Sequence, residues 1–185
     1  MDKKALRKAA AALRAKAHGS VDASVAIAHL RNFVASTEGR VSFYWPIRTE
    51  IDPRPLLEEL AGVRDVCLPV TVGYAPLVFR PWAPGVAMIA DSFGVEVPAD
   101  TTEVIPQVLV VPMLAFDERG HRLGYGAGHY DRAIARILEK GIHPRLIGMA
   151  FDCQQIERVP VEPHDQPLDA MLTETGYHPA QQAAA

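Results

Sequence analysis

Cysteine is scarce in this 185-residue chain. Only Cys67 and Cys153 are present, far apart and with no Cys-x-x-Cys or Cys/His ligand spacing, so a structural zinc site is not expected. Cys67, inside VCLPV, reads as a small buried hydrophobe, and Cys153 has no functional motif around it. No run approaches the ~18 apolar residues of a membrane span. The basic, alanine-rich start lacks the continuous apolar centre of a signal peptide. A cytoplasmic protein with no membrane partner is the expectation. The net charge of -3 gives no reason to expect nucleic acid, although a local basic cluster can still hold an anion. Internal repeats, low-complexity tracts and linkers are missing too, which leaves one domain over residues 1–185 with a frayed tail at 176–185. A hydrophobic content of 49% against 22% charged residues suits a globular core.

The elements that are present alternate. KKALRKAAAALRAKA (3–17) predicts a first helix with Asp2 as cap, and Ser20 or Asp22 can cap a second that stops before Gly39. VSFYW (41–45) reads as a buried strand, and Asp52-Pro53 starts a helix through Leu60. Strands follow at 65–69 and 76–80, the second turning antiparallel, and then a loop-rich stretch between Pro81 and Pro106. VLVVP (108–112) and LIGMA (146–150) are uninterrupted apolar strands of the kind buried in a parallel sheet, with a helix over roughly 129–140 between them. AMLTE (170–174) is expected to end the sheet. The sum is an α/β fold: one three-layer α/β/α domain with a mostly parallel sheet.

The most informative segment is RLGYGAGHYDR (122–132). Gly124, Gly126 and Gly128 let backbone N–H groups face an anion with no Cβ in the way, and the following helix aims its positive end at the same place. Asp131 could hold Mg²⁺ against phosphates whose charge Arg122 and Arg132 offset. Glycines also serve tight turns, and an acid in a first helical turn also complements the dipole. No Lys-Ser or Lys-Thr pair follows the loop, so it is not a Walker motif, and its spacing is not that of a dinucleotide fingerprint. Lys3 and Arg7, at i and i+4 with Lys4 beside them, form either a solvated basic face or a phosphate contact, depending on tertiary proximity to the loop. Trp45 and Glu50 flank the end of a predicted strand, as an aromatic wall and an acceptor or as core filler and surface acid. Asp169 stands just before the last predicted strand. His164 and Asp165 are adjacent, but no Gly-x-Ser-x-Gly elbow accompanies them, which sets serine hydrolase chemistry aside.

Together the segments KKALR, WPIRTEID, LVFRPW, FGVEVP, VPMLAFDERGHRLGYGAGHYDR and VPVEPHDQPLDAMLTE resemble the 5-formyltetrahydrofolate cyclo-ligase family over nearly the whole chain. The resemblance implies a fold like that of certain isomerases and coenzyme A transferases. It implies ATP-dependent closure of 5-formyltetrahydrofolate to 5,10-methenyltetrahydrofolate. Carried over by residue, it makes Lys3, Lys4, Arg7, Arg122 and the loop Leu123, Gly124, Tyr125, Gly126, Ala127, Gly128, His129 and Tyr130 contacts of ATP. Asp131 and Asp169 become the Mg²⁺ acids. Trp45, Glu50 and the residues from Tyr125 to His129 face the folate, and Arg122, Tyr125 and Asp131 form the catalytic set. His129 stands where the familiar motif has tyrosine, and Ala127 where some members have lysine or glycine. A monomer is expected. The alternatives are a folate- or nucleotide-binding paralogue without catalysis, and a coenzyme A transferase relative, which would need a carboxylate nucleophile.

Overall fold

A computed structural model describes residues 2–73 and 75–181. Its helices are α1 (Lys3–His18), α2 (Ser24–Ala35), α3 (Arg54–Leu60) and α4 (His129–Leu138). Asp2 caps α1 by accepting the Lys4 N–H at 3.1 Å, and Asp22 accepts the Ser24 N–H at 2.9 Å where α2 begins. The strands are β1 (Val41–Ser42), β2 (Val66–Val70), β3 (Val78–Trp82), β4 (Met88–Ala90), β5 (Glu96–Pro98), β6 (Val108–Pro112), β7 (Ala115–Phe116), β8 (Arg122–Leu123), β9 (Arg145–Met149), β10 (Ala170–Thr173) and β11 (Gly176–Pro179).

Seven of these strands form one sheet in the order β11-β10-β9-β6-β1-β2-β3, parallel from β10 to β2 and antiparallel at both edges. Alternation along the strands sends Val108 and Val110 to one face and Leu109 and Val111 to the other. On the first face α2 buries Ala26, Leu30 and Val34 and α3 buries Leu56 and Leu57; on the second α4 buries Ala133, Ile134 and Ile137. This is the three-layer fold that the alternation of elements predicts. Each fully buried Leu contributes about 1.5–3 kcal/mol of apolar transfer. Helix α1 differs from the others. Its Leu6 and Ala10 pack on Leu114, Ala115 and Leu123 of the β7–β8 hairpin, beyond the carboxyl end of β6.

Three boundaries depart from expectation. The strand expected at 41–45 stops at Ser42, because residues 43–45 leave the ladder as they approach a cleft; only the Phe43 N–H still reaches β2, at Cys67 O, 3.1 Å. The stretch before Pro106 contains the β4–β5 hairpin, whose Asp91 turns the chain by accepting the Phe93 and Val95 N–H groups. β10 does not end the sheet. Residues 176–179, expected within a frayed tail, form β11, where Tyr177 stacks on Phe33 with centroids 6.1 Å apart. The Gln181 N–H then donates to Glu118 O at 2.8 Å. Residues 182–185 lie outside the described residues.

The chain builds β2 and β3 on one side of β1 and β6, β9, β10 and β11 on the other. The gap between β1 and β6 is therefore the topological switch point, where open α/β sheets bind ligands at the carboxyl ends of their strands.

Candidate active site

A cleft opens at that point. Trp45, Thr71 and Pro112, just past or at the ends of β1, β2 and β6, form its floor, and the glycine loop and the start of α1 form its walls. Its enclosed part has a volume of about 260 Å³, near the lower end of the ~300–1,000 Å³ of small-molecule pockets, and it opens widely to solvent.

One end is shaped for an anion. Gly126 and Gly128 have φ of 106° and 62°, values that other residues adopt only with strain. Arg7 lies directly over the loop: its Nε donates to Gly124 O at 3.1 Å, and a Cβ at position 126 would stand 3.0 Å from its Cζ. Lys3 lines the same cleft and pairs with Glu162 at 2.5 Å. Lys4 is exposed and does not line it. Arg122 donates to Asp131 Oδ1 at 2.6 Å and to Gln166 O, and Oδ1 also accepts the Gln166 N–H at 3.0 Å. Asp131 thus keeps both of these contacts on one oxygen, in the first turn of α4. Arg132 is a brace outside the lining: its Nη1 donates to Ala127 O at 2.6 Å.

Asp169 does not join this set. It precedes β10, which runs parallel to β9, so it lies at the amino ends of these strands while the cleft lies at the carboxyl ends. Its Oδ2 accepts the Leu146 N–H at 2.7 Å and sits 3.5 Å from Arg145 Nε. Glu162 and Asp165, from the same EPHDQPLD segment as Asp169, do line the cleft, as do Asp91 and Glu50, and Asp165 Oδ2 accepts the Glu162 N–H at 2.8 Å. Among the described residues no three His, Cys, Asp or Glu side chains are grouped to hold an ion on their own.

The other end is aromatic and holds a buried acid. Trp45 is half-buried, with the Arg54 guanidinium 5.2 Å from its ring and Asp52 fixing that guanidinium. Glu50 is only 5% exposed and not a surface acid. Its Oε2 accepts the Ile47 N–H at 3.0 Å, and Oε1 lies 3.4 Å from the Tyr125 hydroxyl and 3.5 Å from Arg14 Nη1. Burial pushes the Glu50 carboxyl above the usual carboxylate range, against the pull of the Ile47 N–H, Arg14 and Tyr125. Burial and then the Glu50 charge raise the phenols of Tyr125 and Tyr130. Cys67, pushed up to about 12 by burial, is inert packing. Sequence reasoning missed Arg14. Its signal is an arginine at i+4 from Ala10 and i−3 from Ala17, both buried.

The sequence model described as the 5-formyltetrahydrofolate cyclo-ligase family matches residues 2–174. The chain belongs to that family. It is 38% identical over 133 residues to 5-formyltetrahydrofolate cyclo-ligase of Escherichia coli, covering 67% of this chain and 71% of that one. The Haemophilus influenzae cyclo-ligase is 31% identical over 153 residues, with 78% and 81% covered. The Aquifex aeolicus 5,10-methenyltetrahydrofolate synthetase superposes with a TM-score of 0.79 at 25% identity, over 100% of this chain and 96% of that one. The Mycoplasma pneumoniae 5,10-methenyltetrahydrofolate synthetase, at 19% identity and a TM-score of 0.71, shares the fold.

Membership of the cyclo-ligase family makes the chain a ligase of folate one-carbon metabolism, and it gives two unusual loop positions a context. Ala127 brings no charge, yet Arg132 holds its carbonyl from outside. His129 packs edge-on to Phe93 at 5.7 Å, and burial followed by the Arg132 charge lowers its pKa, which favours the neutral imidazole. Among the described residues no helix is long and apolar enough to cross a membrane.

Proposed function

We propose that the protein converts 5-formyltetrahydrofolate to 5,10-methenyltetrahydrofolate with ATP, releasing ADP and phosphate. The observation that carries this is the seat of Arg7 on the glycine loop: the amino-terminal cations and the triple-glycine bend share one cleft with Trp45, Glu50 and Tyr125. Two ligand ends, one cationic and one aromatic with an acid, then meet around Tyr125.

The reaction needs both. A formamide carbonyl is a poor electrophile and its oxygen a poor leaving group. Attack of the formyl oxygen on the γ-phosphorus forms an O–P bond and breaks the bond to ADP, which leaves. N10 then adds to the activated carbon and gives up its proton to the departing phosphate or to water, and phosphate leaves with the formyl oxygen. The protein's contribution is alignment and charge balance, the usual terms in phosphoryl transfer. Lys3, Arg7, Arg122 and the loop N–H groups steady the triphosphate. Glu50 accepts N–H groups of the pterin, and Trp45 walls it. No residue acts as a covalent nucleophile, which separates this reading from a coenzyme A transferase. Asp131 fits Mg²⁺, which commonly takes one or two carboxylates plus phosphate oxygens; Glu162 and Asp165 are further acids on that side of the cleft. Bound there, Mg²⁺ would offset phosphate charge. A cytoplasmic monomer is part of this reading.

Mixing the protein with 5-formyltetrahydrofolate and Mg-ATP should produce the methenyl chromophore and ADP one for one. ADP without chromophore would point to another acceptor, and binding of both ligands without turnover to a non-catalytic paralogue.

A further inference from the structure

Arg14 is 2% exposed, a degree of burial that arginine tolerates only with partners. Its guanidinium has them on three segments. Nε donates to Thr49 Oγ1 at 3.1 Å, Nη1 to Met113 O at 3.2 Å and Nη2 to the Tyr125 hydroxyl at 2.6 Å, while Nη1 lies 3.5 Å from Glu50 Oε1. Thr49 and Glu50 belong to the loop beyond β1, Met113 follows β6, and Tyr125 belongs to the glycine loop. One planar fork therefore ties both strands of the switch point to the anion-binding loop. Arg14 also lies two helical turns from Arg7, about 10 Å along the α1 axis, so one helix brings a cation to each end of the cleft.

We propose that Arg14 is a positioning residue for the folate: it holds the Glu50 carboxylate and the Tyr125 hydroxyl in the arrangement that receives the pterin, without touching the substrate. The inference rests on the cyclo-ligase reading above. Its logic is electrostatic as well as geometric. The charged and titratable groups around Glu50 are Arg14 from α1, Tyr125 from the glycine loop, Tyr44 beyond β1 and Tyr130 from α4; Arg48 stands 5.2 Å from the Tyr125 ring. Arg14 is the cation among them that contacts Glu50, and it opposes the burial that favours protonation. An ionised Glu50 accepts pterin N–H groups, and a protonated one loses part of that capacity.

The test compares wild type, Arg14→Gln and Arg14→Lys in the methenyl-forming assay, with KM measured for each substrate across pH. Glutamine removes the charge and most of the fork. kcat/KM for 5-formyltetrahydrofolate should fall roughly 10- to 100-fold, with KM for ATP within about twofold, and the acid limb of the folate profile should move to higher pH. Lysine restores the charge but not the fork, so the acid limb should return toward wild type while kcat/KM stays low. An unmoved acid limb in Arg14→Gln, or an equal loss for both substrates, would overturn the positioning role. If Arg14→Gln fails to fold, Tyr125→Phe removes the hydroxyl between Arg14 and Glu50 from a 40%-exposed side chain. It must shift the same limb upward, and an unmoved limb would again end the proposal. A wild type that binds 5-formyltetrahydrofolate without forming product would refute the cyclo-ligase reading alone. Folate affinity in Arg14→Gln would then decide the role of Arg14, with unchanged affinity counting against it.

Discussion

At the glycine-loop end of the cleft, Lys3 and Glu162 meet at 2.5 Å with side chains 29% and 50% exposed; at the Trp45 end, Arg14 and Glu50 meet at 3.5 Å with side chains 2% and 3% exposed. The shorter pair is the weaker in consequence. In water its attraction is screened and its partners exchange readily, so an arriving polyphosphate can replace the carboxylate. The longer pair is kept from water, and removing one member strands the other. Arg122 and Asp131, at 7% and 16%, stand between these cases. On the proposed reading, an exchangeable site for a polyphosphate abuts a fixed site for a flat pterin ring. Substitutions at the two ends should therefore be separable by which substrate they affect.

The harshest test of that division is Asp131→Ala, which removes a cleft acid and frees Arg122. Loss of metal-assisted charge balance is worth several kcal/mol, so turnover should fall about 10³-fold or more, while the sheet and its packed faces, which lie outside this side chain's contacts with Arg122 and Gln166, persist. A magnesium titration identical to wild type would remove Asp131 from the metal site. Gly126→Val follows. A β-branched residue at φ 106° adds strain of about 1–3 kcal/mol, and its Cβ meets Arg7 at 3.0 Å. kcat/KM for ATP should drop roughly 10- to 100-fold with folate affinity little changed, and equal losses for the two substrates would erase the comparison.

Glu50→Gln probes the opposite end and should cost about tenfold in kcat/KM for the folate. Because burial raises the Glu50 pKa, this group takes up its proton at a higher pH than an exposed glutamate on acidification. Folate kcat/KM in wild type should therefore decline as pH falls through that value. Glutamine cannot titrate, so its profile should be flatter on the acid side. A wild-type acid limb retained in full by Glu50→Gln would assign the limb to another group.

Local chemistry was the readable part of this chain. The α1 segment, the VLVVP strand and the glycine bend announce themselves by composition within a few residues, and each is where the sequence predicts it. What was hidden depends on direction and burial. Asp169 and Asp165 lie in one short acidic segment, and only the direction of β10 relative to the cleft shows that Asp165 is at the site and Asp169 at the far edge. Arg14 is hidden among the other cations of α1, because helix propensity treats an arginine on a wet face and one on a buried face alike. β11, with its glycine and proline, lacks strand composition and forms because β10 offers it an edge.

The gentlest perturbation, Glu162→Gln, bears on whether exchange is how the exposed end works. The Lys3 hydrogen bond and charge hold the Glu162 carboxyl below its usual range, so it is ionised at neutral pH and occupies Lys3. If that carboxylate stands in the place of a phosphate, glutamine should release Lys3 and lower KM for ATP by about two- to threefold at low salt. The gain should shrink as added salt screens the wild-type pair. Folate KM should not move, since the Arg14 and Glu50 pair is out of reach of salt. If Glu162 instead shares a metal ion with Asp131 and Asp165, the same substitution would raise both KM for ATP and the magnesium requirement. A rise in either would show that the open end, like the buried one, relies on a fixed charge.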